Sequence, residues 1–536
     1  MKRSALLPAS ALVASAALLL TSCTTGGGSA ADGPASAGSG TGGATAADGT
    51  STDTIRTTID QPATFDPTQS LSLPDFLLAR ASFDTLVRKD EDNQLAPGLA
   101  SAWEREGNTT TFTLREGATC ADGTPITADI VKASLEYLTA PETAAAATPQ
   151  IFGPLGEPTF TAVDDQTLTI ELAQPWPDML VGLTMSASGV ICPAGLEDPE
   201  ALGAGPVEGA ESGAYTLTSS DHGVRYTYTL RDDYDAWPEY AEQVPGTPAT
   251  TVEYNVITDK NATANQLIAG QLDIGFINAQ SVPRVEGTES ITVDTQPLSD
   301  FYVLFNEREG SPFTDPAKRQ AVAQTLDRTA FENVTSSGQG QVSTVLVPEG
   351  TACADPEASP VVDFDPEAAR TALEGVRIRM VGPQIAGPQG SGNTYIQEQL
   401  RAAGATVELS NLDVGGWIST VFGKPGDWDM TLYADLNFIG TMSNPIHSMI
   451  GPSVQEGGGN IGATDSPEAA AAMERYWAAT DEDEACAAVT EASDAIISQA
   501  HAIPLAVDPR LMASREGFTV ISKGGALDDQ HLRITD

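Results

Sequence analysis

Basic residues are scarce in this chain. Lys and Arg number 27 against 73 Asp and Glu, giving a formal charge of −46 over 536 residues. Neutralising a phosphate backbone needs clustered cations, so this composition excludes a nucleic-acid binder. It equally disfavours adhesion to anionic lipid through charge. The acidic excess reads as a solvated surface that keeps the chain soluble, or as a face tuned to a cationic solute. Histidine is almost absent: His222, His447, His501 and His531 are scattered, and no Cys-x-x-Cys occurs, so no metal site is expected. There is no Gly-x-x-x-x-Gly-Lys-Ser/Thr loop, no His-Glu-x-x-His and no Gly-x-Ser-x-Gly elbow in the body. Carboxylates are too abundant for any pair to stand out as acid and base. The expectation is a protein that is not an enzyme and needs no cofactor. Beyond the N-terminus nothing approaches 18 consecutive apolar residues, so no spanning helix is expected in the body.

The N-terminus carries the most specific local pattern. Lys2 and Arg3 precede an apolar stretch from Ala5 to Leu20, too short and wrongly flanked for a stable spanning helix. Leu20-Thr21-Ser22-Cys23 follows and resembles the bacterial lipobox, in which the Cys thiol accepts a diacylglyceryl group. Residues 1–22 are therefore expected to be a lipoprotein signal peptide. Cys23 would be the lipidated residue, anchoring the protein to the outer face of the cytoplasmic membrane. Residues 24–53 are Gly, Ala, Ser, Thr, Asp, Ile-free and aromatic-free, with a single Pro, and read as a flexible tether. The other cysteines are Cys120, Cys192, Cys353 and Cys486, which allow three pairings. They fall into an early and a late pair, matching two lobes with one bridge each: Cys120–Cys192 and Cys353–Cys486.

At this length more than one compact core is expected. Elements alternate along the body. A strand, a turn at Phe65-Asp66-Pro67 and a helix carrying Phe76, Leu77, Ala81 and Leu86 come first. Thr127 is placed to cap a helix over 128–137. Leu168, Ile170 and Leu172 alternate, as do Tyr226, Tyr228 and Leu230, which is the period of a half-buried strand. Residues 256–276 read as strand, helix, strand. Asp315-Pro316, Asp365-Pro366 and Ser466-Pro467 each combine a cap with Pro at the first helical position. The class is α/β, with no internal repeat.

Several segments carry a family resemblance. Leu95-Ala96-Pro97-Gly98-Leu99-Ala100-Ser101-Ala102-Trp103, then Phe112-Thr113-Leu114-Arg115-Glu116-Gly117, then Asp122-Gly123-Thr124-Pro125-Ile126-Thr127-Ala128-Asp129-Ile130 resemble the signature region of family 5 extracellular solute-binding proteins, the peptide and nickel receptors of ABC importers. Gly213-Ala214-Tyr215, Gly270-Gln271-Leu272-Asp273-Ile274, Phe305-Asn306, Pro312 to Asp315, Arg319 to Arg328 and Ile503-Pro504-Leu505 follow in the family's order. The resemblance implies a two-lobed periplasmic-binding-protein-like fold (type II, cluster C) with a ligand cleft between the lobes. Lobe 1 would comprise 54–295 with a return over 506–536, and lobe 2 would comprise 296–505. It implies capture of a peptide or oligopeptide and delivery to an ABC permease with its ATPase subunits. An oligosaccharide, another small solute or a sensing role without transport is the alternative. A monomer is expected. Gly415-Gly416-Trp417 and Tyr433-Ala434-Asp435-Leu436-Asn437-Phe438 resemble pocket-lining segments, so Trp417, Tyr433, Asp435 and Asn437 are the candidate ligand-binding residues, with Asp435 implied as the partner of a ligand ammonium. Trp103, Arg115 and the Asp122-Gly123 turn are read as fold determinants, and Arg319, Asp327 and Arg328 as members of intralobe ion pairs.

Overall fold

The computed structural model describes residues 53–90, 93–153, 156–522 and 531–535. The expected signal peptide, the lipidated Cys23 and nearly all of the tether lie outside them. Among the described residues no helix is long and apolar enough to cross a membrane.

The architecture is two-lobed and mixed α/β. Beside a small three-stranded sheet and a two-stranded hairpin, two four-stranded sheets form most of the first lobe among the described residues. In one, Thr54–Ile59 runs parallel to Thr251–Val256, which continues antiparallel into Arg225–Leu230 and Tyr215–Asp221. Alternation places Tyr226 and Tyr228 inward, against Ile55, Val252 and Tyr254. The other is an antiparallel sheet in the order Ala100–Glu106, Thr109–Leu114, Thr167–Glu171 and Thr159–Asp164. Phe112, Leu168 and Ile170 from this sheet meet Val131 and Leu135 of the helix Ala128–Thr139. Burying side chains of this size contributes roughly 1.5–3 kcal/mol each.

A six-strand path with one short side strand runs from the first lobe into the second. Its order is Ile274–Ile277, Ala502–Arg515, Ile291–Phe305, Met430–Asp435, Arg377–Pro383 and Thr406–Leu412, and Gln341–Val342 also pairs with Ala502–Arg515. Ile291–Phe305 and Ala502–Arg515 pair antiparallel along their lengths. At one end Ile291, Leu511 and Ala513 lie in a first-lobe core. At the other Phe301, Val303, Phe305, Ile503 and Leu505 lie in a second-lobe core. Midway, Pro297 stands opposite Pro509, and the register shifts before Ser299. Neither proline has an N–H to donate, so the ladder is weakest where the chain passes between the lobes.

The capped helices of the second half form as their sequences predict. Asp315 accepts from Ala317 N (3.0 Å), Asp365 from Ala368 N (3.0 Å) and Ser466 from Ala469 N (3.4 Å). Each cap of this kind is worth about 1 kcal/mol. Cys120 is joined to Cys192 and Cys353 to Cys486.

Two details differ from the sequence reading. The strands flanking the helix Lys260–Ile268 belong to different sheets: Thr251–Val256 pairs with Thr54–Ile59, whereas Ile274–Ile277 pairs with Ala502–Arg515. The helix therefore joins two sheets rather than crossing over one. Of the three charged residues read as ion-pair members, Arg319 bridges to Glu307 (3.0 Å), which also meets His501 (2.6 Å). Asp327 instead caps the helix Arg328–Ser336 through Ala330 N (3.0 Å), and Arg328 donates to Pro504 O (2.9 Å). A helix N-terminus and a strand carbonyl supply nearer partners than an opposite charge.

Candidate functional site

The strand Met430–Asp435 lies beside Ile291–Phe305, and its carboxyl end opens toward the first lobe. Ligands of α/β folds collect at such carboxyl ends. Asp435 closes the strand and is half-buried. Its Oδ2 accepts from Tyr302 Oη (3.1 Å) and its Oδ1 from Asn437 N (2.9 Å). Directly opposite in the register stands Asp300, 3% exposed, with Oδ1 lacking a hydrogen-bond partner. Burial raises the pKa of Asp435, although its bonds from Asn437 and Tyr302 oppose the shift. Burial first, then the Asp435 charge, holds Asp300 well above the usual carboxylate range. Among the described residues no cation stands within ion-pair distance of either. Two carboxylates that share a low-dielectric site favour a shared proton or a cation from outside.

Aromatic rings back this pair. Tyr433 stacks on Tyr302, with centroids 5.2 Å apart and planes 23° from parallel. Trp417 is one layer further back, on the helix Val414–Val421, which Asp413 caps through Gly416 N (2.8 Å). Its ring meets the edge of Tyr433 at 5.3 Å and its Nε1 donates to Thr431 Oγ1 (2.9 Å). Trp417 is 5% exposed, so it holds Tyr433 in place.

Asn437 shapes the loop that follows. Its backbone is left-handed (φ 36°), a conformation Asn tolerates better than most residues. Its Oδ1 accepts from Gly440 N (3.1 Å) and its Nδ2 donates to Thr441 O (3.0 Å). The turn carries Phe438 and Ile439 across to the first lobe. Phe438 packs on Phe76 at 4.2 Å, and Ile439 is buried in the first-lobe core. Further bridges join the lobes. Asp178 accepts from Ser443 Oγ (2.6 Å) and from Tyr476 Oη, and Trp176 stacks on Trp477 at 6.3 Å. Asn93 Nδ2 donates to Gly350 O (3.2 Å).

Between these bridges and the long strands is a cavity of about 880 Å³. Its walls include Lys89, Asn93, Gln296, Thr351, Asn437 and Phe438. The volume is in the range of small-molecule sites. Of the four candidates from sequence, Asn437 lines this space, Asp435 and Tyr433 lie on the strand leading to it, and Trp417 stands behind them. Sequence reasoning missed Asp300, Tyr302 and Lys89. Asp300 left one signal, an acid at the head of the apolar run Phe301 to Phe305. Among the described residues no group of three His, Cys, Asp or Glu is placed to hold a metal ion.

Comparison with known proteins bears on the fold and the family. A substrate binding protein from Microbacterium hydrocarbonoxydans, solved in complex with 4-hydroxybenzoate hydrazide, is 42% identical, with a TM-score of 0.79 over 90% of this chain and 100% of that one. The agropinic acid-binding protein AgaA from A. tumefaciens R10 shares the fold at 22% identity, with a TM-score of 0.74 over 90% of this chain and 99% of that one. The periplasmic murein peptide-binding protein MppA of Escherichia coli K12 is 29% identical over 343 residues, 58% of this chain and 60% of that protein. The chain thus aligns with less than two thirds of that relative's length. Residues 94–456 match the family described as bacterial extracellular solute-binding proteins, family 5 Middle. That match covers more than half of the sequence, and the chain belongs to the family 5 bacterial extracellular solute-binding proteins.

Proposed function

We propose that this protein is the extracytoplasmic capture subunit of an ABC importer, and that its cargo is a peptide or a similar small solute carrying a cationic group. The observation that carries this reading is the pairing of buried Asp300 with half-buried Asp435, two facing carboxyl groups with no cation beside them among the described residues. An incoming ammonium supplies the missing counter-charge, with Asp435 as its anchor and Tyr433 as an apolar wall held by Trp417. Asn437 orders the loop that closes over the solute. The lobes divide near residues 295 and 505, where the two long strands cross between cores, and they hinge at the facing Pro297 and Pro509. The closed complex then docks on a separate permease whose ATPases drive import. Cys23 would carry the lipid that holds the protein, as a monomer, at the membrane surface.

A second reading has its own support. The Tyr302–Tyr433 stack and the 42% identity to a protein solved with an aromatic hydrazide favour a small aromatic acyl compound. Mass spectrometry of the small molecule released from the purified protein decides between them. A peptide with a free amino end supports the first reading, and an aromatic acyl compound the second. A neutral sugar contradicts both.

A further inference from the structure

Lys89 ends the short strand Val87–Lys89 on the first lobe and forms part of the cavity wall. It is the one basic residue among those lining this cavity. Its Nζ reaches across to the second lobe and donates to Ile439 O at 2.9 Å. Gly440 follows, with φ 70°, and a Cβ there would come within 2.9 Å of Nζ. The ammonium therefore rests directly against the Gly440 backbone.

An ammonium has three N–H donors. Here the carbonyl of Ile439 takes one, and no carboxylate among the described residues lies within ion-pair distance of Nζ. The acid that acts on Lys89 from a distance is Asp178, whose two oxygens already accept from Tyr476 and Ser443. Asp294 and Glu349 also line the cavity, but both are exposed and neither pairs with Lys89. Burial pushes the Lys89 ammonium down to about 8; Asp178 opposes that shift and Arg80 adds to it. A cation in this setting is stabilised by an anion brought in with the ligand.

We propose that Lys89 anchors a carboxylate of the bound solute, so that the cleft takes a short zwitterion: its cationic group lies at Asp435 and Asp300, its carboxylate at Lys89. The inference rests on the capture reading above and narrows the cargo within it. The spacing sets the length. Lys89 touches Ile439, four residues beyond Asp435, and four extended residues span at most about 14 Å. The chain between them also turns back on itself, with Gly440 N on Asn437 O at 2.8 Å, so the backbone at Asp435 and at Ile439 lies closer than that. A solute of two or three residues, at roughly 3.3–3.6 Å each, matches such a separation. A long oligopeptide threaded through the cleft does not.

The test is calorimetry with tri-alanine and its C-terminal amide, on the wild-type protein and on Lys89→Met. The wild type is expected to bind the acid at least tenfold more tightly than the amide, and Lys89→Met to bind the two alike. A merely structural role for Lys89, holding Ile439, would weaken both peptides equally and leave the preference in place. Equal affinities in the wild type, or a preference that survives Lys89→Met, overturns the assignment while leaving peptide capture standing. If neither peptide binds, peptide capture fails and acetate decides the question for Lys89. Titrated against protein labelled with [13Cε]lysine, acetate should shift the resonance that Lys89→Met removes, in a saturable manner. A resonance that does not move overturns the proposal.

Discussion

Asp300 and Asp435 are direct partners across two antiparallel strands, and Tyr302, two residues along from Asp300, donates its hydroxyl to the Asp435 carboxylate at 3.1 Å. The Asp300 oxygen left without a partner is a cost in the ligand-free protein. A cationic solute bound at Asp435 would relieve that cost.

The first prediction concerns Asp300 itself. Asp300→Asn keeps the shape and removes one of two facing charges. Stability without solute should rise at neutral pH, because the amide does not titrate and so removes the cost that the raised carboxyl pKa imposes there. Affinity for a cationic solute should fall in the same variant. Urea unfolding and calorimetry measure the two effects, and a variant that loses stability without losing affinity would remove Asp300 from the site.

Stability should also depend on pH in a defined direction. Burial pushes Asp508 up to about 7, with Glu332 nearby raising it further and the bond from Ser336 opposing. Asp300 and Asp435 are raised as well. Unfolded Asp titrates near about 3.9, so between that value and the folded one the native state holds more protons. The contribution is full below about pH 4 and is lost as pH rises through the folded pKa. For Asp508 that window closes near 7. Ligand-free stability should fall across it, and Asp508→Asn should flatten the upper part of the curve.

Trp417 should behave as a structural residue with an indirect effect on binding. Its ring is buried and its N–H is spent on Thr431. Trp417→Ala should cost roughly 3–5 kcal/mol of stability. Trp417→Phe, which keeps much of the packing, should cost about 1 kcal/mol for the lost hydrogen bond. Denaturant titration checks both. A Trp417→Phe variant of full stability that fails to bind would instead bring Trp417 into contact with the solute.

The clasp at Asp178 should set how readily the lobes close. Its two bonds, to Ser443 and Tyr476, run from the first lobe to the second. Asp178→Ala removes both and should shift the ligand-free protein toward an open form, weakening solute binding by about 1–3 kcal/mol. Small-angle scattering should report a larger radius of gyration for this variant without solute, and the wild-type value once solute saturates it.

Much of this fold is legible in local sequence, because local rules govern it. Asp315-Pro316 and Asp365-Pro366 cap helices through their own side chains, and the alternation of Tyr226 and Tyr228 places both in one core. The site is less legible because it depends on pairings between distant segments. Asp300 meets Asp435 only through strand register, and Lys89 meets Ile439 only through packing between segments 350 residues apart. In sequence, Lys89 belongs to an ordinary polar hairpin. The helix Lys260–Ile268 shows the same limit: its flanking strands read as one unit and pair in two sheets, since Ile274–Ile277 finds Ala502–Arg515 from the far end of the chain.

The most direct test of the central claim is calorimetry of the co-purified solute against wild type and Asp435→Asn. If Asp435 holds a desolvated cationic group, the substitution should weaken binding by roughly 2–5 kcal/mol, the scale for losing one partner of a buried charged pair. An affinity within about twofold of wild type, a difference well under 1 kcal/mol, would contradict the account and place the solute elsewhere.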